Sequence, residues 1–341
     1  MRRPVGLILI CLGAFFLTLA PLVRFYVAGQ VVLAPLNRYQ VTRLEARNAT
    51  YFDTATLKTR TGVKLQASNT VRGDVRANGG DDRIAVWDSS TNIVDTAVPD
   101  KPIQIQGYRI AFDRRTSQLT NCCGANADGD TSVRMSGYGL LFPLANVRKQ
   151  DYPFFDMTTR QPAAMRYSGE EEVLGMRAYR FVQQVPNTKT AAVDTKLPAK
   201  MLGLKASAPD QKVDRYSQAT ITVWVDPRTG IPVKHRQQIH STVQTADGKG
   251  RMTVASADLH TVPASVRGLV DMANSNAFKI SAVRVHIPVG AVLVGLALLL
   301  VGAFIGLPPG RPAAPPAPRR ADGKFGAARS SARSSAAARR D

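Results

Sequence analysis

The chain has 341 residues, 44% of them apolar and 7% aromatic, with 45 Lys and Arg against 25 Asp and Glu for a formal net charge of +20. This apolar share is ample for a packed core, in one large domain or two small ones. So few aromatics leave little material for the girdled, lipid-facing strands of a membrane β-barrel.

From Pro4 to Val23 no ionisable side chain occurs, a length of about 20 residues that crosses the roughly 30 Å of bilayer hydrocarbon as a helix. Met1-Arg2-Arg3 and Thr18-Leu19-Ala20 also sketch a secretory signal. The apolar run is longer than a signal core, however, and Pro21 would follow the cut directly, so an uncleaved anchor over 1–23 is expected.

The segment 24–286 reads mainly as strands. Turn signals fall at Thr61-Gly62, Asn78-Gly79-Gly80-Asp81 and Asp247-Gly248. Between them lie extended runs such as Ile84 to Trp87, Ile103 to Phe112, Ala178 to Val185 and Met252 to Val262. Ile221, Val223 and Val225 alternate with Thr220, Thr222 and Trp224, and Asp226-Pro227-Arg228-Thr229-Gly230 turns the chain into a second run, Val233 to Val243. That is a β-hairpin. No internal repeat is evident. The expected fold is a β-rich ectodomain, a mainly antiparallel sheet or curved half-barrel with few helices, flanked by two transmembrane α-helices. Its clearest helix is predicted over Ser265 to Phe278, weakened by Gly268.

Cys122 and Cys123 are the cysteines of this segment, Cys11 lying in the first apolar run. In an oxidising compartment they form a vicinal disulfide, pair between molecules or stay as thiols, and a rigid turn is the expected purpose of a bond. Asn126-Ala127-Asp128-Gly129-Asp130 alternates oxygen ligands like a calcium loop, but its Gly is misplaced and no Glu closes it, so a polar turn is expected. His235, His240, His260 and His286 show no paired metal spacing, and His235 and His240, five apart, fall on opposite faces of a strand. Glu170-Glu171-Glu172 reads as a solvated strand edge. No catalytic set, metal site or cofactor is expected, and the chain reads as non-enzymatic. Tyr152, Phe154 and Phe155, following the apolar run Tyr138 to Val147, either fill core or face a ligand at the mouth of an apolar pocket.

From Ile287 to Leu307 the chain is again free of charge and apolar on every side, a second span, with Pro288 suited to its first turn. The tail 308–341 is Pro, Ala, Ser and Arg and is expected to be disordered. Its basic residues suit an anionic inner leaflet, and a lone Phe325 gives no aromatic interleaving for nucleic acid. The segment between the spans is far too long for charge counting to govern its export. Both termini are therefore placed inside, and 24–286 outside the cytoplasmic membrane.

Four stretches together carry a family resemblance: Ala20-Pro21-Leu22-Val23-Arg24; Tyr152-Pro153-Phe154-Phe155-Asp156; Tyr167-Ser168-Gly169-Glu170 with Tyr179-Arg180-Phe181; and Trp224-Val225-Asp226-Pro227 with Pro232-Val233. They resemble the actinobacterial PorA-type porin family, long known only as a domain of unknown function, over residues 1 to about 307. The family name implies a channel. The Asp-Pro-x-Thr-Gly-x-Pro hairpin is also similar to those of half-open barrels that carry lipids or lipoproteins, and the layout of two terminal spans is similar to that of eukaryotic lipid-binding scavenger receptors.

The leading expectation is an envelope protein whose partners are membrane lipids and whose ectodomain binds a lipid or other apolar envelope ligand. A pore is the alternative, and a scaffold on anionic wall polymers a further one.

Overall fold

The computed structural model describes residues 2–306. The tail 308–341, with its expected disorder, lies outside the described residues, as does Leu307.

Two helices are long and apolar enough to cross a membrane, Pro4–Val31 and Pro263–Gly306. The first consists of α1 (Arg2–Pro21), a π-helical turn (Leu22–Val27) and α2 (Ala28–Val31). The second consists of α3 (Pro263–Ser281), a π-helical turn (Ala282–His286) and α4 (Ile287–Gly306). The helix expected over Ser265 to Phe278 is α3, extended at both ends, and a side chain at Gly268 would meet open space.

Pro288 is the second residue of α4, in its first turn as expected, but α4 runs on from the π turn without a break. Proline removes the N–H that would bond the carbonyl four residues back, and its ring clashes there. The π turn relieves the clash, and the carbonyl concerned, that of Arg284, accepts a 2.6 Å hydrogen bond from Nη1 of Arg24 in the other helix. Pro21 immediately precedes the first π turn, and the two π turns contact each other, so both helices loosen at one level.

Beyond that level α1 and α4 pack through an absence of side chains. A Cβ on Gly6 would lie 2.7 Å from Cα of Gly306, one on Gly13 would lie 2.8 Å from the Gly295 carbonyl, and one on Gly302 would lie 2.9 Å from the Gly6 carbonyl. Gly6, Gly13 and Ala20 recur every seven residues, as do Pro288, Gly295 and Gly302. Small residues at heptad spacing let helices approach closely where lipid removes any hydrophobic drive to pair. Phe304, Leu300 and Leu7 point away, 90%, 72% and 63% exposed.

The domain between the helices is one 12-stranded antiparallel sheet. Its first half comprises β1 (Tyr39–Asp53), β2 (Lys58–Gly73), β3 (Ile84–Asp95), β4 (Pro102–Asp113), and the short β5 (Leu119–Thr120) and β6 (Asn126–Ala127). The second half comprises β7 (Tyr152–Asp156), β8 (Gln161–Val173), β9 (Met176–Ala192), β10 (Asp214–Val225), β11 (Pro232–Gln244) and β12 (Arg251–Thr261). The order β5-β4-β3-β2-β1-β12-β11-β10-β9-β8-β7 puts β1 beside β12 in the middle, so the two helices leave the sheet as neighbours.

The sheet curls into a half-barrel. At one end its edges are joined by Gly137 and Tyr138: Leu119 N donates to the Gly137 carbonyl, Tyr138 N to the Pro153 carbonyl and Phe155 N to the Tyr138 carbonyl, each at 2.8 Å. Gly137 is required there, because it has φ 79° and a Cβ would lie 2.3 Å from the Pro153 oxygen. At the same end α3 lies against β11 and β1, and its Val266, Leu269, Val270 and Ala273 join Trp87, Phe112, Met135 and Val233 in the largest core cluster.

A repeat escaped the sequence reading and is visible in the turns. An apolar residue followed by Asp-x-x-Thr ends β1 at Asp53, β4 at Asp113 and β7 at Asp156, and follows β10 directly at Asp226. In each, the Asp carboxylate accepts from the Thr hydroxyl, at 2.8, 3.1, 2.7 and 2.9 Å respectively. The next residue, Leu57, Ser117, Arg160 or Gly230, has positive φ and turns the chain back.

The convex face is water-facing. Lys64 pairs with Glu45, Arg109 with Asp74 and Asp88, and Arg236 with Asp258. Exposed pairs of this kind add little stability, but they leave no continuous apolar band for lipid to cover.

A candidate ligand cavity on the concave face

The concave face is filled unevenly. Over β7–β10 it is packed by Phe142, Tyr152, Phe154 and Phe181, with ring centroids 4.6 to 5.8 Å apart between Phe142 and Phe181, Phe142 and Phe154, and Tyr152 and Phe181. Over β1–β4 and β11–β12, and reaching the far ends of β9 and β10 at Thr190, Ala191, Arg215 and Ser217, a cavity of about 440 Å³ stays open. Small amphiphiles and drug-sized molecules occupy clefts of this order.

The wall over β1–β4 is graded along the strands, and the pairing register fixes the gradation. Thr42 pairs with Asn69, Asn69 with Thr91 and Thr91 with Gln106, one row of hydroxyls and amides across four strands. Asn69 Nδ2 donates to Ser89 Oγ at 2.8 Å and to Thr91 Oγ1 at 2.9 Å, stiffening that row. Two residues along, Leu44, Ala67 and Ile93 form an apolar row, backed by Ile239 and Leu259 of the same cavity.

In the other direction the wall ends on a cation. Arg38 lies next to Gly73, which pairs with Trp87; a Cβ on Gly73 would lie 2.0 Å from the Leu36 carbonyl oxygen, so its absence lets the chain entering β1 pass close by, and the Arg38 guanidinium lies over the indole, 5.0 Å from its centroid. Its Nη2 contacts Gln40 Oε1 and lies 3.3 Å from Sδ of Met272 on α3. All three partners are neutral, and burial lowers the Arg38 pKa to about 10. At about 3.3 Å per residue, roughly 20 Å of strand separates Arg38 from Leu44.

His235 faces the same space from β11, as alternation predicts, while His240 lies on the opposite face in a polar groove beside Gln218 and Gln238. Burial pushes the His235 imidazole down to about 4. The structure thus assembles Arg38, Asn69, Trp87 and His235 at one site, none of which the sequence singled out as ligand-facing.

Tyr152, Phe154 and Phe155 sit elsewhere. They are 4%, 8% and 5% exposed; Tyr152 and Phe154 belong to the packed side, while Phe155 joins the largest core cluster, stacked on Tyr108 at 6.2 Å. None of the three lines the cavity. Cys122 and Cys123 are disulfide-bonded, in a turn where Cys123 has φ 62° and its carbonyl accepts from Arg109. Asn126 to Asp130 forms a polar turn, its Asp128 carboxylate accepting from Gly107 N and its Asp130 from Ser132 and Arg160. Among the described residues no group of three or more His, Cys, Asp or Glu side chains is placed to hold a metal.

Comparison with known proteins gives a consistent picture. Residues 5–304 match the family described as Porin PorA. A protein named Porin PorA from Corynebacterium resistens is 22% identical over 217 residues, 47% of this chain and 52% of that protein, so the chain spans about half its length. Another protein of that name, from Corynebacterium amycolatum, is 21% identical over 306 residues, 70% of this chain and 78% of that protein.

Proposed function

The chain belongs to the Porin PorA family, a membrane or envelope protein, and we propose that its half-barrel binds an amphiphilic lipid of the envelope on its concave face. The observation that carries this reading is the graded wall, which runs from Arg38 through the Thr42, Asn69, Thr91 and Gln106 row to Leu44 and Ile93 around an open cavity. Asn69 Nδ2, Thr91 and Thr42 already bond to neighbouring side chains, but a purely apolar ligand would leave the Gln106 amide and the Asn69 side-chain carbonyl oxygen without partners, at about 1–3 kcal/mol for each one fully desolvated. A purely polar ligand would waste the apolar row. A molecule with a polar head and a hydrocarbon chain satisfies both.

The helical pair supports a companion proposal of placement. The domain 24–286 stands outside the cytoplasmic membrane on two spans, 1–23 and 287–307, with the tail 308–341 inside. The charged convex face suits an aqueous compartment, and the π turns hold Arg24 and Arg284 where the apolar surface of the helices ends.

The test is lipid retention by the full-length protein. Purified in a mild detergent and examined by native mass spectrometry, it is expected to carry a bound lipid that organic extraction releases. A protein with no retained lipid, whose Trp87 fluorescence also ignores added lipid, would sink the proposal. The relatives' name favours a pore as the second reading. Reproducible single-channel steps from the full chain in planar bilayers would establish it, although the charged convex face cannot itself line up against lipid.

A further inference from the structure

Resting on the amphiphile reading, we infer that the ligand's head is an anion, a phosphate or a carboxylate, and that Arg38 receives it at the closed end of the cavity. Arg38 lies at the start of β1, sandwiched between the Trp87 ring and Met272 of α3. Among the described residues it forms no ion pair although it is part-buried against Trp87 and Met272; Arg215, which also lines the cavity without an ion pair, is exposed to water. A guanidinium taken out of water without a carboxylate is costly, and proteins normally place one where an anion completes it.

The surroundings match that role. The guanidinium fork is suited to two oxygens of a carboxylate or phosphate, and its face against Trp87 keeps the plane fixed. Gln40 Oε1, Met272 Sδ and the indole occupy part of the group without neutralising it. Asp128 also borders the cavity, but its carboxylate is engaged with Gly107 N, and Arg160 beside it is paired with Asp130. His235 stays neutral above about pH 4 and adds no competing charge. From Arg38 the strands lead through the amide and hydroxyl row to the apolar row, so a head at Arg38 directs its chain along β1–β3 toward Leu44, Ala67 and Ile93.

The test uses the full chain in phosphatidylcholine nanodiscs with three probes: a dansyl-labelled fatty acid, its methyl ester, and inorganic phosphate. Binding is read by energy transfer from tryptophan and by thermal shift. The acid is expected to bind about tenfold tighter than the ester or more, the scale of a charge-assisted hydrogen bond. Arg38→Gln is expected to bring the acid to the ester's affinity and leave the ester unchanged. Gln40→Glu, which supplies a carboxylate to Arg38 within the chain, is expected to do the same without removing the guanidinium, and covers the case in which Arg38→Gln does not fold.

Equal binding of acid and ester by the wild type would overturn the anion inference and leave the cavity reading standing. An acid preference that survives in both variants would move the anion away from Arg38. No binding of either amphiphile would bring down the cavity reading itself. Phosphate competing as tightly as the acid binds would overturn the lipid source and assign the site to a free oxyanion.

Discussion

The two sides of the concave face are built from the same kind of strand and end in opposite states. Over β7–β10 the inward residues are large and aromatic, and the connection from Leu119 to Tyr152 lays Tyr138 and Phe142 on them, so the space is closed. Over β1–β4 the inward residues include Thr42, Asn69, Thr91 and Gln106, and the connection leaves them uncovered. The difference shows that curvature alone does not make a binding site. A curled sheet collapses onto whatever side chains can fill it, and stays open only where short polar residues hold water or a ligand.

The sharpest way to break the contrast is to open the closed side. Phe181 is fully buried among Phe142, Tyr152 and Tyr167, so Phe181→Ala is expected to cost about 3–5 kcal/mol of stability, read as a large fall in chemical-denaturation midpoint. Asn69→Ala, on the open side, should cost about 1 kcal/mol at most. Equal losses would mean that the open side is packed in solution.

A smaller effect is expected from the turn that both sides share. Asp226 is 0% exposed and its carboxylate accepts from Arg228 N, Nε and Nη2 and from Thr229 Oγ1 at 2.8 to 3.4 Å. Asp226→Ala leaves those donors unmatched and is expected to cost about 1–3 kcal/mol, with the exposed Asp53→Ala costing less.

Acid separates the sides by a different route. Burial lowers the His235 pKa from 6.5 to about 4, so the unfolded chain takes up a proton that the folded chain refuses between those values. Stability is therefore expected to fall as pH drops from about 6.5 to about 4, and His235→Gln should flatten that slope in a melting-temperature series. Asp258, held low chiefly by its hydrogen bond from Arg236, adds its own loss only below the ordinary carboxylate range. An unchanged slope in His235→Gln would show that the cavity admits the proton freely.

The smallest change in stability belongs to a substitution that fills the open side. Ile93→Trp has room to turn into the cavity and is expected to shift stability by less than about 1.5 kcal/mol, yet to abolish lipid retention. Retention unaffected by Ile93→Trp would place the lipid elsewhere on the protein.

Much of this fold was legible in the residues. The β10–β11 hairpin follows from the alternation of Ile221, Val223 and Val225 and from the Asp226 turn, and the helical pair follows from two charge-free runs. The Asp-x-x-Thr repeat was equally open to view, but its copies are spaced unevenly and share only two polar residues. The site was hidden for a physical reason. Along Arg38 to Leu44 the alternation runs against the usual rule, with Tyr39 and Val41 outward at 73% and 40% exposed while Arg38, Gln40 and Thr42 turn inward. Beside a wet cavity the inner face of a strand reads as a surface, so polarity pointed the wrong way. The aromatic run at Tyr152 to Phe155 drew attention to the side of the sheet that is full.

One consequence of the central pairing of β1 with β12 concerns motion. A domain on a single tether swivels and tumbles, whereas here the entering and leaving helices stand side by side, clasped to each other by Arg24 on the Arg284 carbonyl and to the sheet domain by Arg284 on the Ala145 carbonyl. If both helices span a membrane as proposed, two fixed legs remove the swivel. The mouth of the half-barrel then keeps one compass bearing and one height relative to the helices, so whatever exchanges with the cavity meets it in a constant orientation.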